Sequence, residues 1–220
     1  EINELEISIL ACYLPLFKSK IIKDKLSNYY SKKNLFNDLV KIQIKDTIEE
    51  EELKSTIKSD EISDKTSKEV RGQYEENPYP RWRYADIHPK VNFLNEINSD
   101  IYPNQITFND EIKIPKILIA GCGTGQQLAR KIDYKDSKVL AIDLSLSSLA
   151  LAKRKMQEFK INNIEFLHID LLKLKKLKKK FNIIECMGVL HHLDDPEQGL
   201  NILLDTLDTN GFLKLGLYSE

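Results

Sequence analysis

The sequence predicts an α/β fold in which a parallel sheet, covered by helices on both faces, follows a helical N-terminal region. From Lys116 onward, short apolar runs alternate with helix-like segments, which is typical of a parallel sheet. These runs lack polar alternation, as expected for strands that are buried on both faces. Residues 1–70 contain no glycine and place apolar residues at helical spacing, so we expect helices there.

The apolar runs predict five strands and the segments between them predict three helices. Ser145 has the side chain of a helix N-cap, so we expect the second helix to begin there. The strands are Lys116–Ala120, Lys138–Ile142, Ile164–His168, Phe181–Cys186 and Phe212–Leu217, and the helices are Gln126–Ile132, Ser145–Phe159 and Pro196–Leu207.

The pattern divides the chain into three parts. A helical N-terminal region covers residues 1–70, an aromatic and proline-rich linker or lid covers 71–115, and the α/β domain covers 116–220. In the first part, Leu35, Leu39 and Ile42 recur at helical spacing, and 55–68 is a polar connector. The chain begins with Glu1 rather than Met and ends directly after an apolar run, so we expect a piece of a longer protein.

Composition excludes several classes of protein. The 220 residues include 33 basic and 34 acidic side chains, and this balance gives no argument for nucleic acid or an anionic membrane as a partner. Apolar runs fall short of the roughly 18 residues that span a bilayer. Cys12, Cys122 and Cys186 are widely spaced and odd in number, which favours a reducing cytoplasm over a disulfide framework. Four histidines, among them His88, show no Cys–His spacing, so we expect no metal site.

An aromatic and proline-rich segment runs from Tyr74 to Trp82. Prolines on both sides of Tyr79 stiffen the backbone and favour an extended path. Large aromatic side chains on a stiff segment suit a lid or a substrate-docking surface, and the candidates are Tyr74, Asn77, Tyr79 and Trp82. An equally good interpretation is that Tyr79 and Trp82 anchor the linker to the next domain.

A glycine-rich turn follows the first predicted strand at residues 121–125. Glycine lets the backbone turn tightly and approach a ligand closely. Asp143 ends the second strand, where a carboxylate can accept hydrogen bonds from both ribose hydroxyls of an adenosine. The dinucleotide fingerprint would place its third glycine at Gln126, but here that glycine is Gly125. No Gly-Lys-Ser/Thr follows, which excludes a Walker A loop.

Four segments in order resemble the motifs of class I S-adenosylmethionine-dependent methyltransferases. They cover roughly residues 116–217, and an ordered set of four makes coincidence a poor explanation. The segments are ILIAGCGTG at 117–125, VLAIDLS at 139–145, IEFLHIDL at 164–171 and FNIIECMGVLHHL at 181–193. The resemblance implies a Rossmann-like sheet, S-adenosyl-L-methionine as the cofactor and methyl transfer (EC 2.1.1 type). The antiparallel hairpin that ends such sheets is missing from this sequence.

The resemblance also implies roles for individual residues. The glycine-rich turn would lie under the methionine part of the cofactor, Asp143 would bind the ribose, and Asp170 would accept from the adenine amino group. Leu144 and Leu171 would sandwich the adenine, and Met187 would line the methyl side. The implied cofactor-binding set is Gly121, Cys122, Gly123, Gly125, Asp143, Leu144, Asp170, Leu171 and Met187. One departure is Ile119, where the family usually has an acidic residue that helps to organise the loop.

Catalysis by this chemistry needs alignment more than it needs an acid or a metal, because a sulfonium is already activated. A base is required only if the accepting atom carries a proton. His191 or His192, just beyond the fourth strand, could serve. We favour the alternative that one caps the following helix and the other packs on the sheet.

The Tyr74–Trp82 segment joined to this domain is similar to bacterial methyltransferases attached to tetratricopeptide repeats. Residues 1–70 would then follow or end a repeat array, although they contain no repeat. Our leading hypothesis is a methyltransferase acting on a small molecule. One alternative is a non-catalytic cofactor-binding sensor or scaffold whose helical region binds a protein. Another is an RNA methyltransferase that uses the lysine run Lys173–Lys180, although that run more simply forms a solvated, poorly ordered connection.

Overall fold

A computed structural model describes residues 2–85, 93–107, 112, 114–130 and 137–218. It contains two compact units, Glu1–Ser55 and Thr56–Glu220. The first unit ends earlier than residue 70, where the sequence pattern places the end of the helical region. The reason is that residues 58–59 add a strand to the sheet and the helix after them packs on a helix of the sheet unit.

The first unit is helical, as the spacing of its apolar residues predicts. Its core is formed by Leu16, Leu26, Phe36, Val40 and Ile44. Helix α1 spans Glu4–Ala11, α2 spans Lys20–Leu26, α3 spans Asn34–Val40 and α4 spans Asp46–Lys54, and a π-helical turn at Lys41–Lys45 joins the last two.

One face of this unit differs from the expectation. Leu35 is 83% exposed, and its neighbour Phe36 enters the core instead. Phe36 packs edge-on against Tyr29 with 5.9 Å between ring centroids. Phe36, Val40 and Ile44 recur every four residues and share the buried side of the helix, so Leu35 is left on the solvent side.

The second unit contains a six-stranded sheet in the order β1-β4-β3-β2-β5-β6, and every pairing among the described residues is parallel. The five strands expected from the apolar runs are confirmed. The additional edge strand β1 lies within residues 55–68, which the sequence pattern predicts to be a polar connector. The strands are β1 Lys58–Ser59, β2 Lys116–Ala120, β3 Lys138–Asp143, β4 Ile164–His168, β5 Phe181–Met187 and β6 Leu207–Gly216.

Among the described residues, this unit has five α-helices. Two of them, α5 and α6, lie in segments expected to be connector and linker. The Ser145 side chain caps α8 by accepting from Ser148 N, as predicted. Residues 131 and 132, at the end of one predicted helix, lie outside the described residues. The helices are α5 Lys65–Glu76, α6 Phe93–Asp100, α7 Gln126–Arg130, α8 Leu146–Glu158 and α9 Pro196–Thr206.

The central strand β2 is buried on both faces, which is why it carries no polar alternation. Ile117, Leu118, Ile119 and Ala120 are each at most 1% exposed. From β2 the chain continues to β3 and β4 on one side, and to β5 and β6 on the other. The carboxyl ends of β2, β3 and β5 therefore meet at a topological switch point, where open α/β sheets bind ligands. No helix in the described ranges is long and apolar enough to cross a membrane.

Candidate functional site

A cavity of about 370 Å³ opens at the carboxyl ends of these strands. That volume lies within the range of small-molecule sites, about 300–1,000 Å³. Ten of the candidate residues from the sequence line it: Gly121, Gly123, Asp143, Leu144, Asp170, Leu171, Met187, Tyr74, Tyr79 and His192. Cys122, Gly125, Asn77, Trp82 and His191 are not among its lining residues.

The glycine-rich loop forms one wall of the cavity. Gly121 N and Cys122 N both donate to the Ile142 carbonyl, at 2.9 and 3.0 Å, so the start of the loop is tied to β3. Gly123 has a φ of +52°, and a Cβ at this position would meet no atom within 4 Å. Since Gly123 borders the cavity, a side chain there would occupy space that a ligand can use.

Gly125 and Cys122 belong to the same loop but do not line the cavity, and their surroundings explain their identity. A Cβ on Gly125 would lie 2.7 Å from the Cβ of Ala152, so glycine allows α8 to pack closely on the loop. Cys122 is buried, and burial raises the pKa of its thiol well above the usual range, with a further contribution from Asp143. The Cys122 thiol is therefore neutral and packs in the core behind the loop.

Asp143 connects the loop to the next helix. Its Oδ2 accepts from Gly123 N at 2.7 Å and its Oδ1 accepts from Ser145 N at 2.8 Å. Burial raises the pKa of Asp143, whereas the N–H groups of Ser145 and Gly123 and the nearby His168 partly oppose the rise. A carboxylate offers about four acceptor directions, so this one, which lines the cavity, retains acceptor capacity for a ligand.

Asp170 places a buried carboxylate at the cavity. Its side chain is 1% exposed, and Oδ1 accepts from Leu172 N at 2.9 Å. Oδ2 has no hydrogen-bond partner in the part of the chain that the structure describes. A buried acceptor left unpaired costs about 1–3 kcal/mol. The arrangement therefore fits a ligand that donates a hydrogen bond to Asp170, in a cavity that Leu144 and Leu171 also line.

Helix α5 and the segment after it form another rim of the cavity. Tyr74 and Tyr79 line the cavity, as do Ser67 and Val70. The Glu75 carboxylate holds this rim in place by accepting from Ser147 N at 3.0 Å, Ser147 Oγ at 2.7 Å and Ser145 Oγ at 3.0 Å. Sequence reasoning missed Ser67, Val70 and Glu75, because no local pattern marks a pairing across about seventy positions.

Trp82 anchors the segment behind the loop. It is 7% exposed, its Nε1 donates to the Thr124 carbonyl at 2.9 Å, and its ring stacks on Phe159 with 5.8 Å between centroids. Thr124 Oγ1 donates to the Pro80 carbonyl at 2.7 Å. Of the two interpretations that the sequence left open, anchoring describes Trp82, whereas Tyr79 is 76% exposed and borders the cavity. Asn77 is the exposed C-cap of α5.

Comparison with known proteins agrees with this geometry. The family model described as a methyltransferase domain matches residues 117–211. The [4+2]-cyclase SpnF shares the fold, with a TM-score of 0.51 and 20% identity over 71% of this chain and 61% of that chain. Residues 117–211, which carry β2 to β5 and part of β6, are therefore similar to a methyltransferase domain.

Curated relatives match part of the chain. An uncharacterized protein of Synechococcus sp. is 38% identical over 108 residues, which are 48% of this chain and 26% of that protein. The ubiquinone biosynthesis O-methyltransferase of Acinetobacter baumannii is 28% identical over 119 residues, which are 52% of this chain and 48% of that enzyme. This chain thus spans about half or less of the length of these two relatives.

Two histidines follow β5, within the residues that match the methyltransferase model. His192 lines the cavity, and burial together with the neighbouring His191 lowers its pKa. The His191 ring lies against Tyr218 with 4.4 Å between centroids. Neither histidine caps the following helix, contrary to the alternative that we favoured. Asp195 is the N-cap of α9, and its side chain accepts from Gln198 N at 2.9 Å.

The lysine run between β4 and β5 is folded, so the expectation of a poorly ordered connection is wrong. Residues Leu171–Leu177 form a 3₁₀ helix in which Leu174 is fully buried. The apolar side chains at 171 and 174 pack into the core and order the segment. Acidic partners hold several lysines: Lys175 pairs with Asp205, Lys176 with Asp60, and Lys179 with Glu165.

Within the described ranges, no group of three or more His, Cys, Asp or Glu side chains is placed to hold a metal ion. His88, one of the four histidines considered from the sequence, lies outside those ranges.

Proposed function

We propose that this chain binds S-adenosylmethionine in the cavity and transfers its methyl group to a small-molecule acceptor. The observation that carries the proposal is the buried, unpaired Oδ2 of Asp170 at the wall of the cavity. It matches the exocyclic amino group of an adenine, which needs an acceptor in the plane of the ring. Asp143 at the end of the adjacent strand has acceptor capacity for the two ribose hydroxyls.

The remaining walls suit the rest of the cofactor. With adenine between Leu144 and Leu171, the amino-acid end extends over Gly121 and Gly123. The side of the cavity near Met187 then faces the methyl group. Beyond it stand Tyr79, His192 and Tyr218, and these three residues bound the space left for an acceptor.

When bound, S-adenosylmethionine supplies a methyl group on a positively charged sulfur. The chain's own contribution is alignment, which can account for about 7–11 kcal/mol of a barrier. The lowered pKa of His192 keeps its imidazole neutral near pH 7, so the ring is able to take a proton from an acceptor that carries one. The name of the Acinetobacter relative, an O-methyltransferase of ubiquinone biosynthesis, supports a small-molecule acceptor.

Calorimetry with two homocysteine nucleosides tests the proposal. We expect S-adenosylhomocysteine to bind about 10–100-fold more tightly than S-inosylhomocysteine, since the latter presents a carbonyl to Asp170 in place of an amino group. Equal affinities would remove Asp170 from the adenine site. Absence of binding by S-adenosylmethionine and S-adenosylhomocysteine would overturn the proposal as a whole.

A second assay separates catalysis from binding alone. Labelled S-adenosylmethionine is incubated with the protein and a fractionated cell extract, and label is sought in the small-molecule fraction. Binding without transfer to any fraction would instead support a cofactor-binding sensor or scaffold. Label in RNA would identify the acceptor class as nucleic acid.

A further inference from the structure

A carboxylate is buried inside the methyltransferase domain, behind the glycine-rich loop and outside the cavity lining. Glu185 lies on β5 and is 1% exposed. Its register neighbours are Ile119 on β2 and Lys214 on β6. The ammonium of Lys214 is paired with Asp100 Oδ2 at 2.6 Å. Since burial of a carboxylate is costly and an apolar side chain would fill the same space, packing alone does not account for an acid at this position.

The Glu185 carboxylate is joined to the helix that follows the glycine-rich loop. Its Oε2 accepts from Gln127 Nε2 at 2.8 Å. Gln127 is the second residue of α7, two positions after Gly125. The start of the loop is tied to β3 through Ile142, and its middle is tied to Asp143. The bond between Gln127 and Glu185 ties its end to β5.

This bond links the segments that lead to two walls of the cavity. Gln127 follows the wall formed by Gly121 and Gly123, and Glu185 precedes the wall formed by Met187 and Gly188. The bond therefore sets the spacing between the walls. In the proposed orientation, the amino-acid end of the cofactor lies between them, whereas adenine and ribose lie against the ends of β3 and β4.

We propose that Glu185 is a positioning residue which, through Gln127, holds the glycine-rich loop at the spacing required by the amino-acid end of S-adenosylmethionine. The inference rests on the proposed function. It also accounts for Ile119, because the carboxylate comes from the register neighbour on β5 instead of from β2.

The test compares two ligands that share adenosine and differ in the amino-acid end: S-adenosylhomocysteine and 5′-methylthioadenosine. In Glu185→Leu we expect the Kd of S-adenosylhomocysteine to rise about tenfold or more, because one charge-assisted hydrogen bond is lost. The Kd of 5′-methylthioadenosine should change by less than about twofold. The exchange Gln127→Glu with Glu185→Gln restores an amide–carboxylate pair of reversed polarity. It should recover most of the affinity that Gln127→Glu and Glu185→Gln each lose when made alone.

Glu165→Gln, on the exposed part of β4, is the matched control and should leave both affinities unchanged.

If Glu185→Leu bound both ligands more weakly by the same factor, Glu185 would have a structural role and the inference would be overturned. So would an unchanged affinity for S-adenosylhomocysteine, or an exchange variant that recovers nothing although it binds 5′-methylthioadenosine normally. Binding of 5′-methylthioadenosine also reports that each variant is folded at the site. If the unmodified chain binds neither compound, the proposed function fails as well, which distinguishes the two failures.

Discussion

The backbone N–H of Gly123 donates to Asp143 Oδ2 at 2.7 Å, so one carboxylate shapes the loop and also faces the cavity. Replacement by asparagine leaves a single acceptor oxygen where Gly123 N, Ser145 N and a ribose all need one. We expect Asp143→Asn to weaken S-adenosylhomocysteine binding by about 1.5–3 kcal/mol, measured by calorimetry. Asp208→Asn, an exposed aspartate that also accepts a backbone N–H bond, should change nothing. Unaltered affinity in Asp143→Asn would exclude the ribose role.

The raised pKa of Asp143 predicts a pH dependence with opposite signs for binding and for stability. Hydroxyl donors favour the ionised carboxylate, so affinity for S-adenosylhomocysteine should rise as pH increases through the raised pKa and level off above it. The free protein disfavours the ionised form. The contribution of Asp143 to the stability of the free protein should therefore fall as the pH rises from the ordinary pKa of an aspartate, about 3.9, to the raised pKa in the folded chain.

Calorimetry and thermal unfolding over a pH series check both trends. Asp143→Asn should flatten the rise in affinity, because the group that titrates is gone. A rise of the same size in the variant would assign the pH dependence to another residue.

The sheet and its loop were predictable because their signals are local. Five apolar runs gave five strands, and the order of the glycine-rich turn, Asp143 and Asp170 along the chain placed all three at one edge. A parallel sheet brings the carboxyl ends of its strands together whatever lies between them. The positions of these residues could therefore be predicted without knowledge of side-chain packing.

The rest of the site depends on pairings between distant segments, which leave no local pattern. Strand β1 has only two residues and is recognised by its partner β4. Glu75 resembles any surface acid of a helix until Ser145 and Ser147 are brought to it. Similarly, Trp82 suited a lid or an anchor equally well, and the position of Thr124 decides between them.

The contact between Glu75 and the start of α8 predicts that the rim depends on one carboxylate. Glu75→Gln removes the charge from three hydrogen bonds to Ser145 and Ser147. We expect a loss of about 1–3 kcal/mol in the free energy of unfolding, measured with denaturant, and weaker cofactor binding because Tyr74 is no longer held at the cavity. The neighbouring Glu76→Gln, at the exposed end of α5, is the control. Equal effects of the two variants would contradict the role of Glu75.

Two glycines of the same loop should separate binding from stability. Both have positive φ, and an alanine at either position incurs a backbone cost of about 1–2 kcal/mol. The added methyl of Gly123→Ala points into open space at the cavity, so cofactor affinity should fall far more than this backbone cost alone explains. The methyl of Gly125→Ala meets Ala152 at 2.7 Å and forces α8 away, so its main effect should be a lower unfolding temperature. Calorimetry measures the cofactor affinity of both variants, and thermal unfolding measures their unfolding temperatures. If Gly123→Ala bound the cofactor as well as Gly125→Ala does, the cofactor would not lie over Gly123.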